Sequence, residues 1–83
     1  MRRLVLYGRP ECHLCDEARE ILEELIQEAD DLELVELNIE NDDRLHGRFL
    51  ERIPVIELDG CIVSELVPDA GRLRSTLLNT STR

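Results

Sequence analysis

The chain has 83 residues and a formal net charge of −9, from nineteen acidic against ten basic side chains. This length accommodates one domain with little room for a second. The acidic balance excludes nucleic acid as a partner, because its phosphates would be repelled by this surface. Hydrophobic residues make up 42% of the chain, which is enough for one small core.

The N-terminus and the cysteines indicate where the protein works. Two arginines precede an apolar run of only four residues, Leu4–Tyr7, which is too short for a signal-peptide core or a membrane span. The three cysteines are an odd number, and Cys12 and Cys15 are too close in sequence to staple a fold. We therefore expect a protein of the reducing cytoplasm that does not associate with membranes.

The N-terminal half predicts a strand, a long helix and a second strand. Leu4–Tyr7 is a continuous apolar run closed by Gly8, as in a strand that is buried on both faces. From Cys12 to Ala29, apolar residues recur at three- and four-residue spacing opposite an acidic side, which indicates an amphipathic helix. Polar residues interrupt the strand predicted over Leu32–Ile39, which is typical of a sheet edge.

The C-terminal half predicts a short helix, a β-hairpin and a last helix. Asp59-Gly60 is a signal for a type I′ turn, because both central residues of that turn need a positive φ. Proline is favoured at the first position of a helix, so Pro68 is expected to open the last one. In order, we predict a helix carrying Leu45 and Phe49, the strands Pro54–Leu58 and Cys61–Ser64, and a helix with Leu73 and Leu77 facing inward.

These elements follow one another as β-α-β-α-β-β-α. They describe a single domain over residues 1–78, followed by a frayed tail at residues 79–83. A right-handed first crossover makes the two N-terminal strands parallel, and the hairpin supplies an antiparallel pair. The predicted fold is therefore α/β, with a four-stranded mixed sheet and helices on both of its faces.

Cys12 and Cys15 are the residues on which we expect chemistry. Cys12 follows the first strand and begins the first helix, and reactive groups in open α/β sheets gather beyond the carboxyl ends of strands. The exposed amides and partial positive charge of a helix N-terminus favour a thiolate, the attacking species in disulfide exchange. Cys15 is three residues on, within disulfide reach. We predict that Cys12 is the nucleophile and that Cys15, which should be more buried, resolves the mixed disulfide that forms on Cys12.

A C-x-x-C pair is also half of a typical zinc site. A structural zinc usually takes four ligands, and the further candidates here are Cys61, His13 and His46. His13 lies between the two cysteines, and Cys61 is expected far from the first helix as a small apolar residue packed on a strand. The neighbouring β-α-β pattern favours redox chemistry, so no metal site is predicted.

Three stretches together make the sequence similar to the glutaredoxin-like branch of the thioredoxin superfamily: Leu6–Ala18, Arg52–Ile56 and Asp59-Gly60. The resemblance implies a thioredoxin-like fold and a thiol–disulfide oxidoreductase that reduces protein or glutathione mixed disulfides in cell redox homeostasis. It also implies a cis bond between Ile53 and Pro54, where X–Pro bonds adopt cis at low cost.

The resemblance further implies a substrate-binding set of Arg9, Ile53 and Pro54. The backbone of Ile53 would pair with an extended substrate segment, as in strand addition. Glutaredoxins often carry a lysine at the position of Arg9, so Arg9 is expected to stabilise the Cys12 thiolate or to bind a substrate carboxylate.

The sequence departs from glutaredoxins between the cysteines and after the fourth strand. His13-Leu14 stands where Pro-Tyr is common, and the segment Val63–Asp69 lacks the Gly-Gly pair that glutaredoxins place there. Glu65 in that segment would repel a carboxylate. We therefore expect no bound cofactor, with glutathione or a protein disulfide reductase as the source of reducing equivalents.

Two other functions stay open. One is a catalytically weak binding module of thioredoxin shape, in which the cysteine pair acts as a redox switch on a partner. The other is metal or iron–sulfur binding by a dimer that shares Cys12. For the oxidoreductase, the expected partners are protein or small-molecule disulfides, and the chain is expected to act as a monomer.

Overall fold

The computed structural model describes residues 1–78, and the frayed tail expected at 79–83 lies outside the described residues. The predicted order of elements is confirmed, with one added 3-10 turn at Ile39–Asn41. Within residues 1–78, no helix is long and apolar enough to cross a bilayer. The elements are β1 Arg2–Gly8, α1 His13–Glu28, β2 Leu32–Asn38, α2 Asp43–Phe49, β3 Val55–Leu58, β4 Cys61–Glu65 and α3 Ala70–Leu78.

The four strands form one mixed sheet in the order β2-β1-β3-β4. β1 is parallel to β2 and antiparallel to β3, and β3 is antiparallel to β4. The polar β2 lies at an edge, as its pattern predicted. Asp59 and Gly60 have φ values of 50° and 90°, so the tight turn between β3 and β4 is also where the sequence placed it.

Alternating side chains of the central strands supply two hydrophobic clusters, one on each face of the sheet. Leu4, Leu6 and Ile56 pack with α1 and α3, whereas Val55 and Tyr7 pack with Phe49 of α2. Phe49 is wholly buried although its helix has only seven residues. The sheet is therefore covered on both faces, and the fold is the predicted thioredoxin-like α/β class. The helical residues of the first cluster are Ala18, Leu22, Leu25, Leu73 and Leu77.

The start of the last helix differs from the prediction. α3 begins at Ala70 rather than at Pro68. The side chain of Asp69 accepts a hydrogen bond from the Arg72 amide at 3.1 Å, and the Asp69 carbonyl accepts one from the Leu73 amide at 2.9 Å. A carboxylate satisfies a free amide of the first turn, which a proline side chain cannot do, so Asp69 sets the boundary.

Cys61 is also placed differently from its prediction. It is exposed, not packed as a small apolar residue, and it is the free cysteine of the chain. Cys61 is the first residue of β4, directly after the hairpin turn, and it pairs with Leu58 at the end of an edge strand. Neither hydrophobic cluster includes it, although its pairing partner Leu58 packs against the first cluster.

Candidate active site

Cys12 occupies the N-cap of α1, one residue before the helix begins at His13. Its backbone is extended, with φ −111° and ψ 109°. The Cys12 sulfur accepts a hydrogen bond from the Cys15 amide at 3.2 Å, and the Cys12 carbonyl accepts one from the Asp16 amide at 3.1 Å. The sulfur thus stands where a serine or aspartate oxygen would normally cap a helix, and an anionic sulfur gains most from such a bond.

Cys15 is 2% exposed, whereas Cys12 is only partly buried. The two residues are joined as a disulfide, and their Cα atoms are 5.2 Å apart, within the usual range for that bond. Cys12 is therefore the more accessible of the two cysteines, and Cys15 lies behind it. The difference in burial is the one predicted from the sequence.

Gly8, the last residue of β1, makes room for Cys15. A Cβ atom on Gly8 would lie 3.0 Å from the Cys15 sulfur and 3.2 Å from the Cys15 Cβ. Both distances are closer than ordinary van der Waals contact, so a side chain at this position would displace the Cys15 sulfur. Sequence reasoning used Gly8 only as the end of a strand and missed this contact.

Pro54 lies beside Gly8 at the same end of the sheet. Tyr7 pairs with Val55, so the residue before Val55 is next to the residue after Tyr7. The Ile53–Pro54 peptide bond is cis, Pro54 is fully buried and Ile53 is partly buried. The Ile53 amide donates to the Phe49 carbonyl at 3.0 Å. One of the two backbone groups expected to pair with a substrate is therefore engaged within the chain.

Arg9 is exposed and lies on the other side of the pair from Pro54. It lines a surface cleft of about 310 Å³ between the ends of β1 and β2 and the start of α1. Cys15 and Gly8 line the same cleft, but Ile53 and Pro54 do not. The structure therefore brings Arg9 to the cleft at Cys15, and Pro54 lies outside that cleft.

His13 lies in solvent beside Glu17. Its side chain is 89% exposed, and its Nε2 is 3.2 Å from a carboxylate oxygen of Glu17, one turn along α1. Among residues 1–78, no group of three or more histidine, cysteine or acidic side chains is arranged to hold a metal ion. The charged side chains near the pair include those that line the cleft at Cys15, such as Arg9, Asp16 and Arg19.

Arg52 and Glu65 form an ion pair beside the Ile53–Pro54 segment, which sequence reasoning did not pair. Arg52 Nε donates to Glu65 Oε1 at 3.2 Å, and Arg52 Nη2 contacts Glu65 Oε2 more closely. This hydrogen bonding lowers the pKa of Glu65 and raises the pKa of Arg52. The two residues are thirteen positions apart and meet only through the β3–β4 hairpin, so no local pattern signals the contact.

Leu66 connects this ion pair to Pro54. The Leu66 amide lies 3.0 Å from the Arg52 carbonyl and 3.1 Å from the Pro54 carbonyl, and donates to both. Leu66 has φ 65°, which is uncommon for a bulky residue. The segment after β4 is thus held against the residues that flank the cysteine pair.

Tyr7 lies behind the site, on the α2 face of the sheet. Its ring centroid is 4.7 Å from that of Phe49, and its hydroxyl donates to Glu57 Oε1 at 3.0 Å. Burial, together with the Glu57 carboxylate, raises the pKa of Tyr7. The hydroxyl is therefore kept neutral, and the tyrosine tightens the packing of the strand that ends at Gly8.

The family model described as Glutaredoxin-like domain (DUF836) matches residues 3–78 of this chain. No curated protein matches this chain significantly.

Two solved structures match over most of both chains. The structural-genomics target protein XcR50 from X. campestris is 33% identical, with a TM-score of 0.73, over 89% of this chain and 93% of its own. Protein Ne2328 from Nitrosomonas europaea is 29% identical, with a TM-score of 0.75, over 92% of this chain and 91% of its own.

The same fold occurs in thioredoxins at much lower identity. Mitochondrial thioredoxin 3 from Saccharomyces cerevisiae, in its oxidised form, is 16% identical with a TM-score of 0.71. The match covers 94% of this chain and 77% of the thioredoxin.

Proposed function

This chain belongs to the glutaredoxin-like domain family, and from that premise we propose that it is a thiol–disulfide oxidoreductase. One observation carries the proposal. The Cys12 sulfur caps α1 and accepts the Cys15 amide at 3.2 Å, while the Cys15 sulfur is buried behind it within the same disulfide. This arrangement provides an accessible, stabilised nucleophile and a protected second thiol.

The proposed reaction begins with the reduced pair. The Cys12 thiolate attacks one sulfur of a target disulfide, so that a mixed disulfide with Cys12 forms and the other target sulfur leaves as a thiolate and takes up a proton. Cys15 loses its proton and attacks the Cys12 sulfur, which releases the second target thiolate. The target disulfide gains two electrons, and the Cys12–Cys15 pair is oxidised to a disulfide.

A thiol reductant must then return the pair to its reduced form. We assign this role to glutathione or to a protein dithiol, which is itself oxidised to a disulfide, and we propose no bound cofactor. A reducing compartment is needed to sustain the cycle, and we propose the cytoplasm. All of the groups invoked belong to one chain, so a monomer suffices.

Ile53, Pro54 and Arg9 are proposed to hold the substrate. The Ile53 amide donates to Phe49, so the carbonyl of Ile53 is the backbone group that we assign to pairing with a substrate amide. Arg9 stands at the cleft that reaches Cys15 and supplies a positive charge for a substrate carboxylate or for a departing thiolate.

Replacement of Cys12 tests the assignment directly. Cys12→Ser is expected to abolish reduction of a peptide mixed disulfide, whereas Cys61→Ser, at the exposed free cysteine, is expected to leave it unchanged. The initial rate of thiol release measures both. Activity of Cys12→Ser at the level of the unmodified chain would refute the proposal.

Replacement of Cys15 separates the two roles. In Cys15→Ser the first attack still occurs, but the mixed disulfide on Cys12 has no intramolecular thiol to release it. Mass spectrometry is expected to find this adduct accumulating in Cys15→Ser and not in the unmodified chain. Accumulation on Cys61 instead would contradict the order of attack.

A further inference from the structure

A row of paired residues leads from the redox site to a surface that the proposed reaction does not itself require. Tyr7 of β1 pairs with Val55 of β3, and Val55 pairs with Glu65 of β4. Adjacent strands are spaced ~4.8 Å apart, so Glu65 lies about 10 Å across the sheet from the end of β1. Glu65 and the residue after it are therefore at the same end of the sheet as Cys12.

This surface consists of an ion pair and an apolar turn, and we call it the Leu66 face (Arg52, Glu65, Leu66 and Val67). The side chains of Arg52 and Glu65 are 39% and 35% exposed, and their two-point contact engages the guanidinium. Leu66 and Val67 are 49% and 69% exposed although both are apolar. The Leu66 amide is fixed to the Pro54 carbonyl at 3.1 Å, which holds the turn beside the cysteine pair.

We infer that the Leu66 face selects polypeptide disulfides with an apolar residue beside the cysteine and disfavours glutathione disulfide. This inference rests on the proposed function and specifies its substrate class. It depends on charge as well as on shape, because each half of glutathione disulfide carries two carboxylates and one ammonium group.

The length of glutathione allows it to reach the Leu66 face from Cys12. Cysteine is the central residue of glutathione, and the carboxylate of its γ-glutamyl arm lies at most about 9 Å from the sulfur when that arm is extended. This reach is close to the distance of about 10 Å across the sheet to Glu65. A glutathione sulfur at Cys12 therefore brings a carboxylate within reach of Glu65, which repels it. The charge of Arg52 is already compensated by Glu65, so Arg52 attracts that carboxylate less than an unpaired guanidinium would. An apolar side chain meets neither obstacle and covers Leu66 and Val67, removing them from water.

Replacement of the two members of the ion pair is expected to change the rate with glutathione disulfide in opposite directions. The prereduced chain is mixed with glutathione disulfide in a single turnover, which needs no further reductant, and the second-order rate constant is measured. Glu65→Gln frees Arg52 and is expected to raise this constant about two- to fivefold, the range for one exposed ion pair. Arg52→Gln leaves the Glu65 charge uncompensated and is expected to lower it.

A charge-matched control separates the ion pair from net charge. Glu24→Gln removes one negative charge from an exposed position of α1, about 16 Å along the helix from His13, and is expected to change the constant little. If Glu65→Gln behaves like Glu24→Gln, or if Glu65→Gln and Arg52→Gln shift the constant in the same direction, the role of the ion pair is overturned.

The apolar turn is tested with two peptide disulfides that differ only in leucine or serine beside the cysteine. The unmodified chain is expected to prefer the leucine peptide, and Leu66→Asn is expected to reduce that preference about fivefold, as for half of a leucine side chain left uncovered. Asparagine tolerates a positive φ, so the turn is retained. Leu50→Asn, at a leucine 38% exposed at the end of α2 and outside the cleft that reaches Cys15, serves as the control. Equal preferences in the two variants would overturn the apolar contact.

A neutral disulfide separates this inference from the proposed function. Hydroxyethyl disulfide carries no charge and no neighbouring side chain. Each variant of the Leu66 face, and each of their controls, is expected to reduce it at the rate of the unmodified chain. If the unmodified chain does not reduce it, the proposed function fails and the selectivity with it. If the chain reduces it but reacts equally well with glutathione disulfide and both peptides, only the selectivity fails. Circular dichroism melting verifies that each variant is folded.

Discussion

The cysteine pair depends on two neighbours that carry no reactive group. The Cys15 amide holds the Cys12 sulfur at 3.2 Å, and the missing side chain of Gly8 leaves the space that the Cys15 sulfur fills. The first contact stabilises negative charge on the attacking sulfur. The second places the Cys15 sulfur against the backbone of β1, where the residue is only 2% exposed.

Gly8→Ala is expected to slow the resolving step. The added methyl group would lie 3.0 Å from the Cys15 sulfur, and overpacking of this kind costs about 1–3 kcal/mol. We expect a lower melting temperature and a longer lifetime of the mixed disulfide on Cys12, followed by mass spectrometry after mixing with a peptide disulfide.

Gly47→Ala is the matched control for that substitution. No atom lies within 4 Å of the Cβ position at Gly47. Alanine within a helix is favoured over glycine by ~0.5–1 kcal/mol, so this variant is expected to be slightly more stable. The lifetime of its mixed disulfide on Cys12 is expected to be unchanged. A Gly8→Ala chain that resolves as fast as Gly47→Ala would contradict the steric role of Gly8.

The raised pKa of Tyr7 predicts that the folded chain loses stability in alkali. It is the one tyrosine of a chain without tryptophan, so the ultraviolet absorbance of tyrosinate reports it alone. Burial and Glu57 raise its pKa in the folded chain, and we expect a titration midpoint above the usual value of about 10. The neutral hydroxyl of Tyr7 therefore stabilises the folded chain fully at pH values below the tyrosine pKa of the unfolded chain. This stabilisation is lost as the pH rises through the higher pKa of Tyr7 in the folded chain.

Glu57→Gln provides the control for the tyrosine titration. It removes the neighbouring charge and is expected to move the midpoint down towards the usual value, while burial still keeps it raised. Tyr7→Phe is expected to lack the alkaline loss of stability. A Tyr7 midpoint that Glu57→Gln leaves unchanged would contradict the contribution of the carboxylate.

Short elements of this fold are set by side chains at their ends. α2 has seven residues, too few for a helix to form in isolation, yet it carries the wholly buried Phe49. Its N-cap is Asp42, whose Oδ1 accepts from the Arg44 amide at 2.8 Å and the Leu45 amide at 3.3 Å. The cap and the buried ring together fix the helix that leads into the Ile53–Pro54 segment.

Asp42→Ala is expected to destabilise the chain by about 1 kcal/mol, the usual cost of losing an N-cap side chain. Asp42→Asn removes the same charge but keeps an oxygen that can accept both amides, so it is expected to retain most of the stability. Urea unfolding measures both. Equal losses in the two variants would indicate that charge, not capping, is the contribution of Asp42.

The whole molecule is an acidic body with its reactive sulfur at one end of the sheet. The net charge of −9 gives the molecule as a whole a negative potential. Fields of this kind change the rates at which charged molecules arrive, and salt screens them over about 10 Å at 0.1 M. Charge is therefore expected to influence which disulfides react quickly at low salt.

The reduced chain is expected to react severalfold faster with dicationic cystamine than with neutral hydroxyethyl disulfide at low salt. Added sodium chloride is expected to reduce the cystamine rate and to leave the neutral rate nearly constant. Single-turnover rates at a series of salt concentrations measure both. An equal salt dependence of the two disulfides would contradict a role for the field.

The sequence by itself determined the features that depend on neighbours along the chain. The alternation of strands and helices, the Asp59-Gly60 turn and the position of the C-x-x-C pair at a helix start all follow from spacing, because a few consecutive residues define each. The edge position of β2 also followed, since Glu33 and Glu36 interrupt its apolar pattern.

Only the tertiary structure decided the contacts between segments far apart in sequence. Gly8 touches Cys15 because α1 folds back onto β1, and Arg52 meets Glu65 because the hairpin returns beside it. Cys61 is exposed because it stands at the end of an edge strand. These outcomes depend on strand register and on how each helix crosses the sheet, which packing of the whole chain fixes and no local pattern encodes.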